Sequence, residues 1–431
     1  MTGPAASLAH GVGSAEGLPL PLDLVLQAGA ATVVMSFLIA AFRWRTPRLK
    51  PSEPRRSGVA RWLRYPVLAL ALYVTGFALV GPRNENPAAH ALFVWLWVGL
   101  IPISVVFGPV WRAVNPLRTI FTLLELPRHG LRPLPAGRPR SSWPAAAFLL
   151  AFVWFELLAP HRGDPVAIGL WILGYALSQM IFALYRGEEW FARGDCFEVY
   201  SALAGRLSPL RHRRLLSGLA ADPVPALSPA LGIPAPVGAF PVPGAAAAAG
   251  QGRARPPLTS VGVAGFIAVW WGSTVFDSVS SSPFWTGFTE RAGHSPLPGS
   301  VALILLCVLV FLALRWTMGT VDVTLSLIPI AVGYTLAHYL SLLIVEAPRG
   351  VLLLAGAAAG GWDPRPAPVA IATAQIALIL IGHAIGVVVA HDHSLRSAGQ
   401  RPALAVLADE LPLVLFMIAC TWAGLFLLFV R

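Results

Sequence analysis

The sequence predicts an all-α fold: a polytopic transmembrane helical bundle of about ten spanning helices, both termini extracytoplasmic. Three observations predict it. Of the 431 residues 56% are hydrophobic and only 12% are charged, about half the charge expected of a soluble domain. The apolar stretches are continuous rather than alternating, which favours helices over a membrane barrel. Many of them reach the roughly 20 residues that a helix needs to cross the hydrocarbon layer.

Taken in order, the expected spans cover residues 22–42, 66–82, 89–108, 143–160, 165–185, 259–280, 299–317, 322–345, 368–390 and 410–430. The apolar segment 351–359 is too short to cross and reads as a re-entrant or interfacial piece. Basic residues then set the orientation, because Lys and Arg accumulate in cytoplasmic loops. With the N-terminus outside, 25 of the 31 basic residues fall in cytoplasmic loops and 6 in external segments. The net charge of +11 is therefore placed by topology, and no nucleic-acid partner is expected. The reading is of a multi-pass cytoplasmic (plasma) membrane protein in contact with lipid.

Four parts follow from this. Residues 1–21 form an extracytoplasmic tail without Lys or Arg, so the charged stretch of a cleavable signal is not expected. Residues 22–185 form a first group of about five helices, and 259–431 a second. Between them, 186–258 is a cytoplasmic loop. It opens with Glu188–Leu203, whose aromatic residues read as the lipid-facing side of an interfacial helix. Its remainder, rich in Pro, Ala and Gly, reads as a linker. Cys196, Cys307 and Cys420 form no disulfide framework.

Ionisable groups within membrane helices are costly, so each is a candidate for function. The topology places Glu156, Asp277, Tyr334, His338 and Gln375 in the outer half of the membrane, with His90 opening the third span. Tyr334 and His338 stand one helical turn apart. Convergent carboxylate and imidazole groups suit a divalent metal with an open position, which would activate water. His10, in the external tail, could fold over such a site. The metal set is thus Asp277, His338, Glu156, His10 and His90. Without a metal, His338 with Asp277 makes a base and its orienting partner, with Tyr334 alongside. The plainer alternative is that these groups cap helix ends or bond to neighbouring helices.

His383 lies in the run Gly382–Gly386, where small residues four apart allow close helix approach. Haem is not expected, since no second histidine lies at its depth. Ala390-His391-Asp392-His393 has metal-like composition, but adjacent helical positions diverge by about 100°; it reads as a solvated helix terminus. The segment Asp277–Ser282, a carboxylate followed by hydroxyls, suits a cation, a phosphoryl oxygen or a helix cap. Phosphate-binding loops, dinucleotide fingerprints and common soluble catalytic motifs do not occur.

Several segments together carry a resemblance. They are Ala9-His10-Gly11 with Leu18–Pro21; Trp97–Pro102 with Trp111–Pro116; Gly194–Pro209; Phe276–Trp285; Ser326–Leu343; and Gly382–Leu395. This combination resembles actinobacterial membrane proteins called fenitrothion hydrolases over most of the chain. The resemblance implies hydrolysis of an apolar aryl phosphorothioate triester with release of a nitrophenol. It supplies no catalytic residues to carry over. His393 stands where the resembling pattern has Arg.

Three readings follow. The first is a metal-assisted hydrolase of apolar organophosphate triesters, an apolar small molecule being the expected partner. The second is a transporter of a small solute or metal ion. The third is a non-catalytic subunit or assembly factor of a membrane complex.

Overall fold

The computed structural model describes residues 18–50, 61–133, 141–211, 216–220, 260–292, 295–317, 324–357, 362, 364, 367–398 and 403–429. His10 and the Pro/Ala/Gly-rich linker lie outside the described residues. The described residues are helical, with loops and turns and no strand.

Each expected span contains a helix. They are α1 (Leu22–Arg43), α2 (Arg64–Val80), α3 (His90–Phe107), α5 (Trp143–Leu158), α6 (Pro165–Arg186), α8 (Ser260–Ser280), α10 (Pro296–Thr317), the pair α11 (Leu327–His338) and α12 (Leu340–Leu354), α13 (Pro368–Ala398) and α14 (Ala403–Phe429). Among the described residues, seven are long and apolar enough to cross a membrane, and the α11–α12 pair makes up to eight. α2 and α5 are apolar but shorter. Shorter helices include α4 (Pro116–Leu123), α7 (Cys196–Ala204) and α9 (Pro283–Arg291).

Outward faces are apolar too. Met35, Ile39 and Phe42 on α1 and Leu305, Leu309 and Leu312 on α10 are exposed. A water-soluble protein would not present such continuous apolar surface, and in lipid it costs nothing.

Small residues set a close helix contact. A Cβ on Gly333 would stand 2.5 Å from the Leu378 carbonyl oxygen, and one on Gly382 2.6 Å from that of Pro329. α11 and α13 therefore meet backbone to backbone, as the Gly382–Gly386 spacing predicts.

Two spans are irregular. α3 begins as a π-helix over His90–Gly99 before continuing as α-helix, and π segments concentrate at functional sites. The expected span 322–345 is broken: α11 ends at His338, α12 begins at Leu340, and the pair bends by 64°. α12 runs on to Leu354, so the apolar residues from Val351 extend this second half-helix rather than forming a separate piece.

The segment after α6 departs furthest from expectation. Trp190, Phe191, Phe197, Val199, Tyr200 and Leu203 are all buried. Their apolar side chains face protein, not lipid. α7 packs against α3, α5 and α11 and forms part of the interior. Composition marks these residues as apolar but does not say which apolar surface they meet.

Candidate functional site

The centre of the site is built by two helices. Asp277 and Ser278 lie near the end of α8, which packs on α11. Tyr334 and His338 lie one turn apart on α11, and Tyr339 is the residue at the break. His338 Nε2 stands 2.8 Å from Asp277 Oδ2, and the Tyr339 hydroxyl donates to the same oxygen at 3.0 Å. On the other side of the ring, His338 Nδ1 stands 3.3 Å from Ser278 Oγ, which is 3.2 Å from the Tyr334 hydroxyl. All five side chains are buried. His338 shows no exposure at all, and Asp277 and Ser278 show 2% each, so water does not screen this network.

Proton positions follow from the donor and acceptor inventory. A carboxylate at Asp277 can only accept, so Nε2 carries the imidazole proton. In the neutral imidazole Nδ1 is then an acceptor, and it faces the Ser278 hydroxyl. Ser278 Oγ has an alternative acceptor in the Thr274 carbonyl oxygen, 3.2 Å away one turn earlier. Asp277 Oδ1 takes no hydrogen bond among the described residues.

The helix break is supported from outside the pair. Gln375 on α13 donates its amide to the Ala337 carbonyl oxygen at 2.9 Å, satisfying a carbonyl beside the break. Neither proline nor glycine stands at residues 338–340. What accompanies the departure from helical geometry is Tyr339 itself, with φ −101° and ψ 12° and its hydroxyl on Asp277.

An aromatic wall adjoins this centre. Trp97, on the π segment of α3, stacks on Tyr200 with ring centroids 4.8 Å apart, and Tyr200 meets Trp270 edge-on at 4.5 Å. Trp270 donates its indole N–H to Thr335 at 2.9 Å. The Trp97 indole nitrogen, which approaches the Tyr339 hydroxyl, and the Tyr200 hydroxyl are buried and make no hydrogen bond within strict geometric limits among the described residues. Glu156, on α5, is buried and within electrostatic reach of Asp277.

The other expected residues go elsewhere. His90 Nε2 pairs with Glu346 Oε2 of α12 at 3.0 Å and does not join Asp277. His383 is buried with Nδ1 donating to the Ile379 carbonyl oxygen at 2.9 Å, a bond within its own helix. The run His391–His393 is not solvated. All three side chains are buried and point in different directions: His391 to Glu410 and the Trp44 carbonyl oxygen, Asp392 to Arg396 and the backbone N–H groups of Arg48 and Leu49, His393 to the Leu219 carbonyl oxygen. His391 and Asp392 fasten the chain after α1 to α13 and α14, and His393 ties α13 to Leu219; sequence alone could not place these segments side by side.

The metal reading can be tested on these contacts. Among the described residues no group of three or more His, Cys, Asp or Glu is arranged to hold a metal ion. The atoms of Asp277 and His338 that would ligate are bonded to each other, and His90 is engaged by Glu346. Among the described residues these donors are engaged with one another or with Glu346, and no step below is routed through a metal.

A second buried network lies on the other side of α7. Asp195 caps the start of α7, Oδ1 accepting from the backbone N–H groups of Phe197 and Glu198. Tyr175 donates to the same oxygen, while Trp111 and Asn115 donate to Oδ2. Arg118 forms a fork on Glu198, at 2.6 and 2.7 Å, and reaches Glu188 at 2.9 Å. Burial works against the Arg118 charge, but Glu198 and Glu188 outweigh it and hold the guanidinium protonated. Burial pushes the Asp195 carboxyl up to about 6, against the pull of its donors. Sequence reasoning passed over this network, because its partners come from three separated segments.

Fold and site together define a multi-pass helical membrane protein with an ionisable network in its interior. No known family model matches the chain, and no curated protein or solved structure shows detectable similarity to it.

Proposed function

We propose that this protein is an intramembrane hydrolase of apolar, uncharged organophosphate triesters, with His338 as its general base and Asp277 as the residue that orients it. The observation that carries the reading is the placement of His338 between a carboxylate at Nε2 and a hydroxyl at Nδ1. A base so placed contributes about 10²–10⁴ in rate. Tyr334 and Tyr339 hold the network on either side. The described contacts of this cluster are among a carboxylate, an imidazole and hydroxyls, a setting that suits a neutral triester. A lipid-soluble substrate would also reach a buried site from the bilayer. The resemblance to fenitrothion hydrolases points the same way.

In this reading about ten helices span the plasma membrane, and the excess of arginines in the loops puts both termini outside. The test is nitrophenol release from a nitroaryl phosphorothioate triester by detergent-purified protein. Turnover should survive chelator and should fall about 10²–10⁴-fold in His338→Ala. No release above a mock purification, from folded protein, ends the reading. A rate abolished by chelator and restored by added metal would return the metal-assisted form.

One observation favours transport instead. A span broken by 64° beside ionisable groups is a recurring arrangement for substrate and ion sites in transporters. Sealed proteoliposomes carrying a pH-sensitive dye separate the two. The hydrolase reading expects no proton movement above protein-free vesicles. Movement lost in Asp277→Asn would replace hydrolysis by transport.

A further inference from the structure

We infer that Ser278 is a nucleophile, so that the site is a serine–histidine–aspartate arrangement working through a covalent intermediate rather than by direct attack of water. This rests on the hydrolase reading for its substrate, but not for the reactivity of Ser278 itself.

A serine hydroxyl is a weak nucleophile until a neighbouring base takes its proton, and that base needs a third group to fix its tautomer. Asp277 fixes Nε2–H at 2.8 Å, which leaves Nδ1 as the basic atom, 3.3 Å from Ser278 Oγ. The usual triad has the carboxylate at Nδ1 and the serine at Nε2; here the two are exchanged, and which nitrogen is basic is set by the hydrogen bond that the other makes. The Tyr334 hydroxyl, 3.2 Å from Oγ, can donate to that oxygen as charge develops on it. The three serines that follow are disposed differently. Ser280 and Ser281 bond back to the Asp277 carbonyl oxygen, and Ser282 bonds to that of Val279. Among the described residues Ser278 alone of the four contacts an imidazole.

Oγ of Ser278 forms a bond to phosphorus while its proton passes to His338 Nδ1. The phosphorus–oxygen bond to the aryl group breaks, its electron pair leaving with the aryloxide, which takes the proton from His338 and departs as the phenol. The serine now carries a dialkyl phosphoryl group. Water gives a proton to Nδ1 and attacks phosphorus, and the serine oxygen leaves and takes that proton back. The products are the phenol and the dialkyl acid, with one water consumed.

The test is a dialkyl fluorophosphate, which loses fluoride to an activated serine without needing triester turnover. Full-length protein in detergent is treated, digested and mapped by mass spectrometry, beside Ser278→Ala, Ser281→Ala and His338→Gln, with nitrophenol release measured in parallel. The expected result is one adduct on Ser278, retained in Ser281→Ala and formed at least about 10²-fold more slowly in His338→Gln. An adduct without triester turnover supports the nucleophile and sinks the substrate reading. Turnover with no adduct on Ser278, and a Ser278→Ala variant of unchanged rate, overturns the nucleophile and leaves hydrolysis by water. Neither adduct nor turnover overturns both. If any of the three variants fails to fold, the adduct map of the unaltered chain still decides.

Discussion

Asp277 and Asp195 are both buried aspartates, yet their surroundings differ. Asp195 accepts five hydrogen bonds: two from backbone N–H groups, one each from Trp111 and Asn115, and one from the Tyr175 hydroxyl. Both of its oxygens are engaged, and it holds the start of α7 against α4 and α6. Asp277 accepts from two side chains on one oxygen, Tyr339 and His338. One of those partners is itself titratable and continues to Ser278. Each Asp195 donor offers a fixed N–H or an un-ionised hydroxyl, which makes a rigid joint. A carboxylate bonded to an imidazole leaves a proton that can move, which is what acid–base chemistry requires. Burial alone does not distinguish a structural carboxylate from a working one; the chemistry of the donors does.

The sharpest way to break this contrast is to neutralise each carboxylate in turn. Asp277→Asn should lower turnover by about 10²–10⁴-fold per folded molecule while the thermal midpoint in detergent moves little. Asp195→Asn should do the reverse, because its amide nitrogen would oppose the donors of Trp111 and Asn115. Equal loss of activity in both variants would erase the distinction.

Next in size is Arg118→Met. It leaves Glu198 buried without its partner, and breaking a buried pair costs about 3–5 kcal/mol. The thermal midpoint should fall accordingly, with turnover per folded molecule unchanged. A small shift would mean that Glu198 finds another partner.

The last test uses pH. The folded value of Asp195, about 6, lies above its ordinary 3.8. The folded state therefore binds the proton more tightly than the unfolded chain. The associated stability is full below about pH 4 and is lost as pH rises through about 6. At about 1.4 kcal/mol per pH unit this amounts to about 3 kcal/mol. The stability difference between the unaltered protein and Asp195→Asn should change over that window and be flat above it. A difference flat from pH 4 to 7 would mean that the five donors hold the carboxylate ionised throughout.

Much of the fold was legible in the sequence. The helical segments follow from hydropathy and length, because lipid leaves a backbone few ways to satisfy its own hydrogen bonds. The close approach of α11 and α13 follows from Gly382 and Gly386. Asp277, Tyr334 and His338 stood out by the cost of placing such groups in a membrane, and they do converge. His90 stood out for the same reason and pairs with Glu346 instead, since a common depth does not imply a common face.

What the sequence by itself determined is therefore the class of fold, its helical segments and the identity of the ionisable residues within them. Each of these is a property of a residue or of a continuous stretch. Tertiary structure alone decided the break at Tyr339, the inward turn of α7 and the contact of Ser278 with His338. It also decided the Asp195 and His391 networks. These depend on which faces of distant helices meet, and apolar helix surfaces are too alike in sequence for their partners to be read from it. Side-chain packing and hydrogen bonding between helices select those partners, and they act only once the helices are together.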